Sequence, residues 1–190
     1  MHDIEPYYLW RDYYVASEDK LSPFYGTHYS EFQFANRIYD HYIHPQWDNF
    51  GSSTLYCKIL FADYNQQFAV IELLGEWNDT LHNDIMEMKR GLIDPLIKQG
   101  IDKFVVIGEN VLNFHPSDEL YYEEWYDDIK DTDGWIVFLN FRDHVIEEMQ
   151  KARIHYYAHM GKQYSDILWR KIKPTHLAEF IENLLIRSIE

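Results

Sequence analysis

The sequence predicts an α/β fold with a mixed β-sheet and crossover helices, joined to an aromatic-rich N-terminal extension. Three observations carry this reading. Two apolar runs at residues 55–62 and 67–74 flank a short polar turn, the pattern of an antiparallel hairpin. Helical and strand patterns then alternate, and a strand–helix–strand crossover makes a parallel pair. Before residue 55 the texture changes: fourteen Phe, Trp and Tyr, from Tyr7 to Phe50, stand among few aliphatics.

The extension, residues 1–54, has turn signals at Ser22-Pro23, His44-Pro45 and Asp48–Ser53. Alternation at Phe32 and Phe34 suggests a strand, though residues 32–43 also read as a short helix. The extension either packs on the later core or acts as an arm that packs only in a dimer. From residue 55 to 190 the elements are sharper. Asp63-Tyr64-Asn65-Gln66 turns the hairpin. Asn78 or Asp79 caps a helix to Gln99, stopped by Gly100, with Leu81, Ile85, Met88, Leu92 and Leu96 at helical spacing. Pro95 should kink it, with Gly91 leaving room. Residues 103–107 form a buried strand closed by Gly108. Ser117 caps a helix to about Lys130, with Asp118 and Glu119 in its first turn and Tyr121, Trp125 and Ile129 inward. Residues 135–141 make another buried strand. A helix through Ala152 buries Val145, Ile146 and Met149, residues 153–158 suggest a short edge strand, and Pro174 starts a last helix.

Composition excludes several functions. The 190 residues are 46% apolar and 26% charged, enough for a packed core. Seventeen basic against thirty-two acidic residues leave a net charge of −15, which sets aside nucleic acid as a partner, because phosphate contacts need Lys and Arg. The same balance disfavours an anionic membrane, and no apolar run is long enough to span one. Residues 1–20 carry five acids and no leader pattern, so the expected location is the cytoplasm. The lone Cys57 leaves no internal disulfide and no multi-cysteine zinc site.

Metal motifs fail on spacing. Setting Asp133-Gly134 as the fifth and sixth positions of a calcium loop puts Ile129 first and Asn140 twelfth. His155 and His159 lack the glutamate of the zinc-protease helix signature; on a strand they stand about 13 Å apart, at about 3.3 Å per residue. No cofactor is expected. Neither a nucleophile elbow nor a phosphate-cradling glycine loop occurs. The acids from Asp118 to Asp133 read as a solvated face and as a surface for a basic protein partner. Glu72, Glu76 and Glu109 fall near strand ends, where α/β sites sit.

Residues 55–161 resemble the STAS fold of anti-sigma-factor antagonists and the cytoplasmic parts of sulfate transporters. The order of elements is similar, as is the run Phe68-Ala69-Val70-Ile71-Glu72-Leu73-Leu74-Gly75-Glu76-Trp77-Asn78-Asp79. The resemblance implies a regulatory loop at Asn113-Phe114-His115-Pro116-Ser117-Asp118, with Asp118 where many members carry a phosphorylatable serine. Glu119-Leu120-Tyr121-Tyr122 depart from the small residues that follow it there. The expectation is a non-enzymatic binding or regulatory protein, a possible homodimer, with His115, Ser117 and Asp118 in its contact loop. The alternative is a small-molecule binder or enzyme, its pocket between extension and sheet holding Glu72, Glu76, His115 and Glu109.

Overall fold

Two apolar runs buried on both faces make the hairpin. In the computed structural model, which describes residues 3–187, Leu55–Asp63 and Phe68–Asn78 pair antiparallel, with Leu55 opposite Gly75 and Asp63 opposite Phe68. We number the strands along the chain: β1 Arg37–Ile38, β2 His41–Tyr42, β3 Leu55–Asp63, β4 Phe68–Asn78, β5 Lys103–His115 and β6 Trp135–Leu139. The last four form one mixed sheet in the order β3–β4–β5–β6, antiparallel between β3 and β4 and parallel thereafter. The outermost positions of the sequence reading, residues 1–2 and 188–190, lie outside the described residues.

Layers cover both faces of the sheet, which is why β5 and β6 can be apolar on both sides. Ile71, Phe104, Val106 and Phe138 face the helices α1 Asp79–His82, α2 Asp84–Met88, α3 Asp94–Lys98, α4 Leu120–Ile129 and α5 Asp143–Lys151. Phe68, Val70, Val105, Ile107, Val137 and Leu139 face the other way, against Leu177 and Ile181 of α6 Pro174–Arg187 and against Trp10, Tyr164 and Trp169. Residues 3–54 wrap the β3 edge. Trp10 joins the α6 face, Ala16, Phe24 and Phe50 join the helical face, and Ile38, Ile43 and Trp47 pack on Tyr56 and Leu74. Asp48 and Cys57 exchange backbone hydrogen bonds of 2.8 and 3.0 Å along that edge, and His159 bonds to Ile136 and Phe138 along the β6 edge. Each edge thus has part of its backbone already paired within the chain.

Several boundaries differ from the sequence reading. Gly108 does not end β5, which runs on to His115; a Cβ there would stand 2.4 Å from ring atoms of Phe141, so the glycine makes room for a ring inside a strand. The long helix expected up to Gln99 is broken. Asn83 takes a left-handed conformation with φ 50°, and a π-helical turn at Lys89–Ile93 precedes Pro95. The widened turn bonds the Asp94 N–H to the Lys89 carbonyl and gives the proline its room. Leu81, on the short helix before the Asn83 break, is out of phase with the rest and exposed, while Ile85, Met88, Leu92 and Leu96 beyond it are buried. The same turn aims Lys89 inward at Asp94 and at Asp128, 2.7 Å away, so the acidic helix α4 is partly an ion-paired seam.

Ser117 is not the cap of α4. The helix begins at Leu120, whose N–H is accepted by Oδ1 of Asp118 at 3.2 Å, and Ser117 is exposed. Ser117→Ala is therefore expected to change stability by less than about 0.5 kcal/mol. Asp118→Ala should cost a few tenths to about 1 kcal/mol. Chemical denaturation of both variants checks the order, and a larger loss at Ser117 would reverse the assignment. Tyr122, rather than Tyr121, lies fully inside with Trp125 and Ile129. Residues 153–158 form a 3₁₀ turn at Ile154–Tyr156 in place of the expected edge strand, leaving His159 a single parallel bridge to Val137. Phe32 and Phe34 lie in neither a strand nor a helix; the short ladder is β1 against β2. Among the described residues no helix is long and apolar enough to cross a membrane, and no three His, Cys, Asp or Glu side chains could share a metal ion.

Candidate functional site

One polar row crosses the α6 face of the sheet. Alternation places Glu72 on the same side as Phe68 and Val70, and Lys58 stands directly opposite it on β3. On β5, Val105 and Ile107 lead along that face to Glu109. Asn140 follows β6 immediately and, with φ 54°, turns its side chain back to Glu109. Three neighbouring strands and the residue just after β6 thus each bring one polar side chain to a row across the middle of this face, with β4 and β5 running on beyond it to Asn78 and His115.

The row is closed from outside by two irregular segments. From the extension, the Tyr7 backbone N–H donates to Glu72 Oε2 at 2.9 Å, and the Tyr7 ring meets Trp10 and Trp169 edge-on. From the segment before α6, Arg170 grips Glu109 with Nη1 at 3.1 Å from Oε1 and Nη2 at 2.6 Å from Oε2. Trp169 Nε1 and Asn140 Nδ2 also donate to Glu109 Oε1, at 2.8 and 2.9 Å. The Arg170 guanidinium lies 4.3 Å from the Trp169 ring centroid and 5.6 Å from that of Tyr7. Its Nη2 stands 3.9 Å from Glu72 Oε1.

These surroundings push the two carboxyls apart. Burial raises Glu72 to about 7; the Tyr7 N–H and Arg170 pull it back, and Glu109 adds to the rise. Burial also acts on Glu109, but Arg170, Asn140 and Trp169 outweigh it and hold that carboxyl below its usual range. At the β3 end, Lys58 Nζ is 3.0 Å from Asp48 and 3.8 Å from the Tyr29 ring centroid, and the Tyr29 hydroxyl donates to Asp48. Burial lowers the Lys58 ammonium, and Asp48 opposes that loss.

Of the residues named from sequence, the fold brings together Glu72 and Glu109 only. Glu76 turns elsewhere, accepting from Tyr39 at 2.7 Å and from Asn113 at 3.2 Å. His115 lies six residues along β5 from Glu109, about 20 Å at strand spacing. Its ring is exposed, as are Ser117 and Asp118 beyond it. Sequence reasoning missed Lys58, Asn140, Trp169, Arg170 and Tyr7. Lys58 was visible in principle as the one cation inside an apolar strand pattern. It also missed two buried carboxylates beneath the helices. Asp79, raised to about 6 by burial, accepts from Tyr122, Trp77 and Ile85. Asp84 accepts from Ser52, Thr54 and the Asn78 N–H. Both tie α1 and α2 to the sheet. No family model matches this chain, and no curated protein matches it.

Proposed function

We propose that the protein is a non-enzymatic binding protein that takes a small ligand along the polar row, beneath its N-terminal segment. The observation that carries the reading is that separate clefts open on the same row. One of about 220 Å³ adjoins Lys58, one of about 350 Å³ adjoins Glu72 and Glu109, and one of about 410 Å³ adjoins Glu109 and Asn140. Aromatic walls with a few fixed polar groups suit small-molecule recognition. Glu72 borders its cleft but, at 1% exposure beneath Tyr7, offers almost no accessible surface, which favours binding over catalysis. The element order from 55 to 161 supports a STAS-like reading, in which such a domain works by contact.

A fragment screen read by two-dimensional NMR tests this. Ligands are expected to shift the indole signals of Trp10 and Trp169, and Arg170→Ala should weaken them by about tenfold or more, the effect of losing one charged hydrogen-bonding partner. Hits confined to other surfaces, or none at all, would count against it.

A second reading, docking of a protein, has its own observation. Among the described residues, nine of the fifteen exposed large hydrophobic side chains lie in the extension, and Phe32 is 88% exposed. Such clustering marks contact surfaces. Phe32→Ser with Tyr42→Ser is expected to leave the melting temperature unchanged and to abolish association with a partner in native cells. Unaltered association would remove this reading.

A further inference from the structure

We propose that the cleft beside Lys58 binds a small organic carboxylate with an aromatic or apolar body. The inference rests on the ligand-binding reading above and names the chemistry of one end of the row. The cleft lies between the extension and β3. Tyr7, Trp10 and Tyr14 give it aromatic walls, and Ile59 and Leu60 lie on its sheet side. Its volume, about 220 Å³, is below the usual lower bound of about 300 Å³ for ligand cavities, so the occupant is small, of the order of one ring and a short acid arm.

Two cations from distant parts of the sequence meet on this cleft in a chain of net charge −15. Lys58 is the inner one, its side chain 12% exposed. An ammonium has three N–H donors. Asp48 takes one of them at 3.0 Å, and the Tyr29 ring covers another side of the amine. Asp48 is not part of the cleft wall, so it holds the amine from behind and leaves the remaining donor for an occupant. Arg11 is the outer cation, half-exposed at the mouth. Among the described residues its hydrogen bonds run from Nη2 alone, both at 3.4 Å, to Glu5 and Gln46. The rest of its five-donor fork is free to grip a planar carboxylate. The one acid on the wall, Glu18, is exposed. Asp48 and Glu5 match the two cations in formal charge, so the cleft offers directed N–H donors rather than excess positive charge. A monoanion is therefore tolerated better than a phosphate dianion, and the aromatic walls match an apolar body.

Titration calorimetry on the full chain separates the possibilities, with phenylacetate, phenylacetamide, phenethylamine and inorganic phosphate as probes. Phenylacetate is expected to bind at least about tenfold more tightly than the amide, the amine or phosphate, the difference one charge-assisted hydrogen bond makes. Arg11→Gln, at a half-exposed position, should weaken phenylacetate by about tenfold and leave the melting temperature unchanged. Lys58→Met should abolish binding; because that change strands Asp48, its fold is checked by circular dichroism, and Arg11→Gln stands alone if it unfolds. Equal affinity for acid and amide, tighter phosphate, or an affinity indifferent to Arg11→Gln would overturn the assignment. Amine or amide binding on the row without acid binding would defeat this inference and leave the ligand-binding reading standing. If no probe binds and the fragment screen finds no hit on the row, both fall.

Discussion

Glu72→Gln is expected to make the protein more stable at pH 8 and to make little difference at pH 4.5. The wild-type carboxyl is buried on the α6 face and rises from 4.5 to about 7, chiefly through desolvation. Between those values the folded chain holds a proton that the unfolded chain releases. Stability therefore falls as pH climbs through the interval, and the whole deficit is present above about 7. The shift corresponds to about 3 kcal/mol, or roughly 6–12 °C in melting temperature for a chain of this size. Glutamine keeps the neutral form at every pH, and its carbonyl can still accept the Tyr7 N–H. Calorimetric melting of both proteins at pH 4.5, 6 and 8 measures the effect. Glu109→Gln should act in the opposite sense. That carboxyl is held below its usual range, so its stabilising interaction is present above the ordinary carboxylate range and is lost as pH falls through it. If Glu72→Gln is the less stable protein at pH 8, the carboxylate is favourably bound there and the clamp is electrostatic.

The contrast between Glu72 and Arg170 shows what was legible in the sequence. Glu72 sits inside a continuous apolar run, so its strand followed from pattern alone, whereas Glu109 was placed just past a strand that in fact runs on through it to His115. Arg170 and Trp169 arrive from a segment with only a 3₁₀ turn, Trp169–Lys171, and about sixty residues of chain separate them from Glu109. No periodicity encodes that return. Glycine misled for a related reason. Gly100 ends a helix and Gly108 admits the Phe141 ring, and a single sequence gives both the same letter. The start of α4 was misplaced because Ser117 and Asp118 have similar capping chemistry, whereas the N-cap position falls at Glu119 and the side-chain bond at the helix start runs from the Leu120 N–H to Asp118. Hydrophobic phase failed at Leu81 because the left-handed Asn83 resets it. The mixed α/β architecture survived all of these errors, since apolar run length and helix spacing do not depend on any one boundary.

Removing residues 1–54 is expected to abolish cooperative unfolding. Trp10, Ile38, Ile43 and Trp47 are all buried within a single chain, and each core side chain of this size contributes about 2–5 kcal/mol. Their sum reaches the whole stability of an ordinary domain, about 5–15 kcal/mol. The cut has two further costs. Tyr7 leaves Glu72 without its N–H donor, and the loss of Asp48 strips the β3 edge at Cys57, opening an unpaired strand to other chains. Tyr56, Leu74, Phe61 and the indole of Trp169 would then face water on neighbouring surfaces. The truncated chain should aggregate, or bind a hydrophobic dye and melt over a broad range, when followed by calorimetry and light scattering. A smaller cut that removes only residues 1–16 takes Tyr7 and Trp10 and spares Ile38, Ile43 and Trp47. It should leave a cooperative but weaker transition. If residues 55–190 alone melt as sharply as the full chain, the extension is an attachment to an independent sheet domain, and the clamp on the polar row has no part in holding the fold together.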